Sequence, residues 1–178
     1  MRGKAGRLSG GRVPSSCRVR FQPPLSPRLT TMSHVLRPFW QRKPLRELTE
    51  EEWESLCDGC GMCCLHKLQD EDTGEVFYTN VACRLLDLQT CRCRDYARRA
   101  IVVPDCLVLS PETLGPQLCS LPSTCAYRLL AEDMDLPDWH PLKSGCDETV
   151  MTSGHRVCGR VIPEVEAQAL EHHLVDWR

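Results

Sequence analysis

Large aromatic side chains are scarce in this chain: Phe, Trp and Tyr together make up 6% of its 178 residues. A conventional core is therefore thin, and something besides burial has to hold the fold together. No stretch approaches the ~20 apolar residues that span a bilayer. None combines a basic start, a short apolar run and a small-residue cleavage site, so no secretory signal is predicted. Enzymatic apparatus is missing as well. There is no Gly-rich cofactor loop after a strand, no pair of carboxylates in an apolar setting, and no visible Ser/His/Asp arrangement.

Acidic residues are absent from positions 1–31, which hold seven basic ones: Arg2, Lys4, Arg7, Arg12, Arg18, Arg20 and Arg28. From Met32 onward, 15 basic residues face 24 acidic ones, a net charge of −9. A basic, acid-free leader suits an organelle transit peptide or a nucleic-acid-binding arm. Pro14, Pro23, Pro24 and Pro27 interrupt any amphipathic helix there. The leader is read as disordered, or as lying upstream of a start at Met32, with Cys17 outside any site. Residues 32–178 are one domain.

Cysteine is the residue in excess, with 13 in the chain. Cysteine-rich chains divide by compartment into disulfide scaffolds and metal or redox sites. Without a secretory signal, the expectation is a reducing cytoplasm with the thiols as ligands. An odd total also precludes complete disulfide pairing within one chain.

The densest stretch is Cys57-Asp58-Gly59-Cys60-Gly61-Met62-Cys63-Cys64. Two CxxC steps share Cys60, and an adjacent fourth sulfur closes the run. Backbone that wraps an ion or cluster needs residues tolerant of positive φ, which the two glycines supply. Buried cysteine also behaves as a small hydrophobe, but four in eight residues with glycine between them fits that role poorly. A second ligand region holds Cys83, Cys91, Cys93 and Cys106, interleaved with Arg84, Arg92, Arg94, Arg98 and Arg99. Guanidinium groups beside thiolates offset their charge and donate hydrogen bonds to sulfur. Arg84, Arg92 and Arg94 adjoin cysteines and suit this role, whereas Arg98 and Arg99 read as a basic surface. An acidic domain with few aromatics makes a nucleic-acid role for these arginines a poor fit.

Flanking elements are short. Thr49 and Glu52 have capping-box spacing, so a helix runs into Cys57. Leu65–Gln69 and Glu75–Thr79 flank an acidic turn and predict a β-hairpin; the turn lacks the ligand pattern of an EF-hand. His66 is either a nitrogen ligand or an ordinary histidine, with the latter favoured, and His140 is read as packing. Leu107–Leu109 is a short apolar strand or core segment, and Ser110-Pro111 starts a helix. Another helix begins at Ser123 or Thr124, placing Cys125 in its first turn as a late ligand or a core residue. Arg156–Ile162 alternates like a half-buried strand, and Glu164–Trp177 reads as a short helix. The fold class expected is α+β: a small, irregular, metal-stabilised domain of short helices and a hairpin.

Several of these segments together resemble a known family. They are Pro38-Phe39-Trp40, Glu52 through Gly61, Cys63 through Leu68, Asp70-Glu71-Asp72-Thr73, Thr79 through Arg84, Thr124 through Glu132, and Trp139-His140-Pro141-Leu142. The resemblance is to the bacterial YcgN-type cysteine-cluster proteins, within a wider CxxCxxCC group described as zinc- or iron-chelating. That group includes YkgJ-type proteins and a flagellin lysine methylase. Its pattern matches Cys57, Cys60, Cys63, Cys64, Cys83, Cys93 and Cys106, while Cys91 and Cys125 match the YcgN-type subset. Cys119, Cys146 and Cys158 fall outside the pattern and receive no role. The resemblance implies metal chelation in a bacterial cytoplasm and supplies no reaction.

The metal remains a choice between two chemistries. Three cysteines at CxxCxxC spacing with a distant fourth are how ferredoxin-type chains hold an iron–sulfur cluster. Four cysteines in CxxC-like pairs hold structural zinc. Side chains of adjacent Cys63 and Cys64 are expected to diverge, each serving a different centre. The reading favours an iron–sulfur protein acting in redox, iron handling or sensing. A zinc-stapled module docking an unidentified protein partner is the alternative, and a protein-modifying enzyme stands last. Neither membrane nor nucleic acid is an expected partner.

Overall fold

The computed structural model describes residues 37–177; the expectations for the leader, Cys17 and Met32 lie outside them. Helix α1 (Phe39–Arg42) sets the Phe39 and Trp40 rings edge to face, and both pack on the core. Helix α2 (Glu50–Ser55) begins as its sequence requires. The Thr49 hydroxyl accepts from the Glu52 N–H, and the Glu52 carboxylate accepts from the Thr49 N–H. Two otherwise orphaned donors are thereby satisfied, and the helix delivers the chain into Cys57.

Strands β1 (Leu65–Gln69) and β2 (Val76–Ala82) form the expected antiparallel hairpin, with an irregularity between Leu65 and Lys67. Its turn is built on Asp70, whose Oδ1 accepts from the N–H groups of Asp72 and Thr73 and from the Thr73 hydroxyl. Strand β3 (Ile162–Pro163) adds in parallel to β2, giving a three-stranded mixed sheet in the order β1-β2-β3. The remaining helices are α3 (Arg99–Val102), α4 (Leu114–Gln117), α5 (Ala126–Ala131), α6 (Pro141–Ser144) and α7 (Glu148–Thr152). Short helices around a small sheet make the α+β class.

Burial is divided between two modest clusters. One gathers Cys60, Met62, Leu65, Ala82, Leu86, Cys91, Val150 and Val157. The other gathers Trp53, Leu56, Leu114, Leu121, Ala126, Tyr127 and Leu136. His140 is fully buried beside the second cluster, and its ring reads as packing and capping. Its Nδ1 accepts from the Leu142 N–H, which leaves Nε2 protonated to donate to the Leu56 carbonyl at 3.1 Å.

Several local expectations are corrected. Helix α5 starts one residue later than a Thr124 start and two later than a Ser123 start, with Cys125 as N-cap, because the Cys125 N–H closes a turn onto the Pro122 carbonyl. Ser110-Pro111 forms a turn, and helix begins only at Leu114. Leu107–Leu109 takes the second of its two expected forms, a core segment: it forms no strand, and Leu107 and Leu109 pack on the second cluster. Within Arg156–Ile162 only Ile162 pairs, since a turn closes from Arg160 N–H to the Val157 carbonyl. Glu164–Trp177 contains two 3-10 turns, Glu164–Glu166 and Leu170–His173, in place of one helix. The segment follows β2 instead: Val175 N–H donates to the Tyr78 carbonyl, and the Trp177 indole to that of Thr79.

Candidate metal centre

The Cys57–Cys64 loop curls through two left-handed residues, Gly59 at φ 70° and Gly61 at φ 81°. Side chains would crowd both positions, Gly59 against the movable end of Arg92 and Gly61 against the short, fixed side chain of Val157. A Cβ on Gly59 would lie 2.9 Å from the Arg92 guanidinium carbon, and one on Gly61 would lie 2.8 Å from a Val157 methyl. The Asp58 carboxylate accepts from the Cys60 N–H at 3.0 Å, and Cys64 N–H closes a turn onto the Gly61 carbonyl. The loop is thus a cradle whose backbone is drawn tight around its sulfurs.

Eight of the nine expected cysteines line one cavity of about 480 Å³: Cys57, Cys60, Cys63, Cys64, Cys83, Cys93, Cys106 and Cys125. Different elements bring them there. Cys64 and Cys83 meet at the end of the hairpin, where the Cys83 N–H donates to the Cys64 carbonyl at 2.9 Å. Cys93 returns through a bridge between Leu86 and Cys93. Cys106 closes a turn onto the Val103 carbonyl after α3. Cys125 arrives at the start of α5, which is tied to α2 by the Tyr127 hydroxyl donating to the Trp53 carbonyl.

Cys91 is the exception. Its sulfur is bonded to Cys158, with Cα atoms 5.8 Å apart, and does not line the cavity. Cys91 has a left-handed backbone, φ 55°, which turns its side chain toward the C-terminal segment. The expectation of Cys91 as a ligand is therefore corrected, as is that of Cys158 without a role. Cys119 and Cys146 do not line the cavity either. A second correction concerns Cys63 and Cys64, whose sulfurs lie 3.9 Å apart instead of diverging.

Electrostatics in the cavity favour protonated thiols in the metal-free chain. Burial pushes Cys125 up to about 12 and raises Cys60 and Cys106. Burial likewise pushes Cys57 up to about 12, although the residue is exposed by surface area. The two observations suit a residue in the wall of an open cavity, surrounded by protein yet touched by solvent. Cys63 is raised first by its contact with the Cys64 thiol and then by burial. A metal cation reverses this balance, because a coordinating thiol is deprotonated outright.

Positive charge is supplied by Lys67, Arg92 and Arg99. The Lys67 amine donates to the carbonyls of Cys63 and Leu65, at 2.9 Å each, and is near enough to interact with the sulfurs of Cys60, Cys63, Cys64 and Cys106. Arg92 packs over Gly59 and favours the Cys57 thiolate, as its position beside cysteines predicts. Arg99, expected on a surface helix, lines the cavity and favours the Cys106 thiolate. Arg98 does pair on the surface, with Asp95. Arg94 turns to Asp87 at 3.4 Å, and Arg84 holds Glu164 and the Val102 carbonyl. His66 lines the cavity with Nε2 held by Glu164 at 3.0 Å.

Lys67 and Arg99 received no role from the sequence. Lys67 carried no dependable signal, because the strand is irregular between Leu65 and Lys67 and simple alternation does not fix which face the amine takes. Arg99 had none, because its orientation depends on where α3 docks.

The donor set fits a sulfur-bound metal. Among the described residues no three His, Cys, Asp or Glu side chains converge closely enough to hold a single ion. The sulfurs instead surround a volume, with glycine turns beneath and cations beside them. No helix among the described residues is long and apolar enough to cross a membrane.

Comparison with known proteins agrees with this chemistry. Residues 56–126 match the family model CxxCxxCC, "Putative zinc- or iron-chelating domain". A UPF0260 protein of Gluconobacter oxydans is 58% identical over 146 residues, covering 82% of this chain and 89% of that one. One from Rhizorhabdus wittichii is 59% identical over 140 residues, covering 79% and 95%. Another from Azotobacter vinelandii is 55% identical over 146 residues, covering 81% and 97%. No solved structure matches the chain. With relatives this similar over most of their length, and the cysteine cradle inside the matched region, the chain belongs to the UPF0260 family.

Proposed function

We propose that this chain is an iron–sulfur protein of a reducing cytoplasm, acting in redox, iron handling or sensing. One observation carries the reading: eight cysteines from five separate parts of the chain line the same cavity. Their spread around a volume suits a cluster of several atoms better than one ion. Lys67, Arg92 and Arg99 offset the negative charge that thiolates and cluster would bring. The cytoplasmic assignment rests on the free thiols; the Cys91–Cys158 bond argues the other way, since reducing compartments keep thiols unpaired. A net charge of −9 from residue 32 onward argues against a nucleic-acid partner.

Structural zinc in a protein-docking module is the second reading, and a specific distance favours it. Tetrahedral zinc with Zn–S bonds of ~2.3 Å sets its sulfurs about 3.8 Å apart, close to the 3.9 Å between Cys63 and Cys64. Anaerobic purification with a visible spectrum, iron and sulfide assays and metal analysis decides between them. A brown protein that bleaches on reduction supports the cluster. A colourless zinc protein supports the second reading, and a folded chain free of both metals overturns the two together.

A further inference from the structure

We infer that the Cys91–Cys158 pair is a thiol-exchange site: a low-molecular-weight thiol opens it by attack on Cys158, and opening loosens the grip of the cysteine cradle on its metal. The second step rests on the metal-binding reading above, and the first is independent of it. In a reducing cytoplasm, disulfides that do form are usually transient and catalytic or redox-sensing.

The two sulfurs of the pair are unequally placed. Cys91 is 4% exposed and packed in the first cluster, with its sulfur 3.4 Å from where a Cβ on Gly61 would lie. Cys158 is partly exposed and leads into exposed Gly159 and Arg160. An incoming thiolate therefore meets Cys158 first. The Cys158 N–H donates to the Cys91 sulfur at 3.1 Å, so a donor already faces the atom on which negative charge arrives when the bond breaks.

The exchange then runs in two displacements. The attacking thiolate bonds to the Cys158 sulfur, the Cys91–Cys158 bond breaks, and its electron pair leaves on Cys91, which takes a proton from water. A second thiolate attacks the added sulfur of this mixed disulfide, and Cys158 departs as a thiolate that is protonated in turn. Two small thiols are thereby oxidised to one small disulfide, and the protein disulfide is reduced to two thiols. An excess of the small disulfide drives the same steps backwards and closes the pair.

Each half of the pair belongs to a segment that holds the cradle. The Cys91 N–H donates to the Asp87 carbonyl at 2.8 Å and the Asp87 N–H to the Arg92 carbonyl at 2.9 Å, closing residues 87–92 into a compact turn. From that turn Arg92 packs over Gly59, and the next residue, Cys93, lines the cavity. On the other side, the Val157 N–H donates to the Cys60 carbonyl at 2.9 Å, and a Val157 methyl packs on Gly61. Arg156 also donates to the Thr90 carbonyl. The disulfide covalently links the piece that covers Gly59 to the piece that covers Gly61. Once it opens, hydrogen bonds and packing alone hold that joint, and segments 67 residues apart regain chain freedom.

Anaerobically purified full-length protein, equilibrated in a series of reduced-to-oxidised glutathione ratios, tests both steps. Alkylation with iodoacetamide and mass spectrometry should show Cys91 and Cys158 passing together from bonded to alkylated as the ratio rises, with trapped glutathione on Cys158 at least tenfold more often than on Cys91. A pair that stays closed or open throughout, or glutathione trapped chiefly on Cys91, overturns the exchange site. In the same buffers, metal transfer to a competing chelator should run about tenfold faster or more from the open form, the scale of losing groups that position metal ligands. Cys158→Ser should release metal at the open rate in every buffer. Release that does not follow the bonded fraction in the parent, or that reduced glutathione speeds equally in Cys158→Ser, overturns the coupling. The parent series decides alone should the variant fail to fold. Protein that holds no metal removes the metal-binding reading, while the alkylation map of the same sample still decides the exchange step.

Discussion

The backbone N–H of Val157 donates to the carbonyl of Cys60 at 2.9 Å, joining the C-terminal segment to the middle of the cysteine loop. The Cys91–Cys158 bond lies immediately beside this contact and spans 67 residues. A ligand loop with little helix or sheet of its own is thus clamped from outside.

Breaking that clamp should loosen the fold. Chain entropy alone assigns about 4 kcal/mol to closing a loop of this length, with 2–4 kcal/mol typical of measured disulfides. Cys158→Ser is expected to lower urea-unfolding stability by about 2–4 kcal/mol relative to the oxidised parent, and reductant should reproduce the loss in the parent. Equal stability with and without the bond would show that it closes nothing of consequence.

Gly61 offers a test of the cradle itself. Gly61→Ala meets both a left-handed backbone and a Val157 methyl 2.8 Å from the new Cβ. Gly145→Ala meets a similar backbone, φ 71°, in open space. Left-handed strain alone costs roughly 1–2 kcal/mol. Thermal or urea melts should place Gly61→Ala at least 1 kcal/mol below Gly145→Ala, an increment on the scale of overpacking a core. Indistinguishable melts would refute the close approach.

Removing the amine at position 67 should weaken metal retention more than folding. Groups that support metal ligands without touching the metal are typically worth 10- to 100-fold in affinity. Lys67→Met is predicted to release metal to a competing chelator at about 10- to 100-fold lower chelator concentration. Wild-type retention would mean that the ammonium contributes only its bonds to backbone carbonyls.

Asp135 predicts a response to acid. Hydrogen bonds from Gln41, Leu136, Trp40 and Lys143 outweigh a smaller opposing effect of burial and hold its carboxyl at about 2. An unfolded Asp titrates near ~3.9, so the folded chain binds this proton more weakly. The stabilisation is fully present above about pH 4 and is lost as pH falls toward 2. The melting temperature should fall through that window, and the fall should be shallower in Asp135→Asn. Parallel pH profiles for parent and variant would remove Asp135 from the account.

What the sequence determined is local. Thr49 and Glu52 specify the start of α2 because a capping box closes within four residues. The hairpin follows from an Asp70 turn that satisfies its own N–H groups. Eight cavity cysteines were legible because thiol spacing and a family pattern are carried by the chain itself. Tertiary structure decided the rest, and for one physical reason: a side chain's partner is whatever distant segment packs against it. Cys91 met Cys158 instead of the cavity because the C-terminal segment lies over its loop. Arg99 entered the cavity while Arg94 turned to Asp87, a choice made by the docking of α3 and the fold of residues 83–94. Cys63 and Cys64 came within 3.9 Å of each other because a 3-10 turn, Met62–Cys64, carries them into β1. No spacing rule encodes these meetings, since each joins residues whose proximity exists only after the chain has folded.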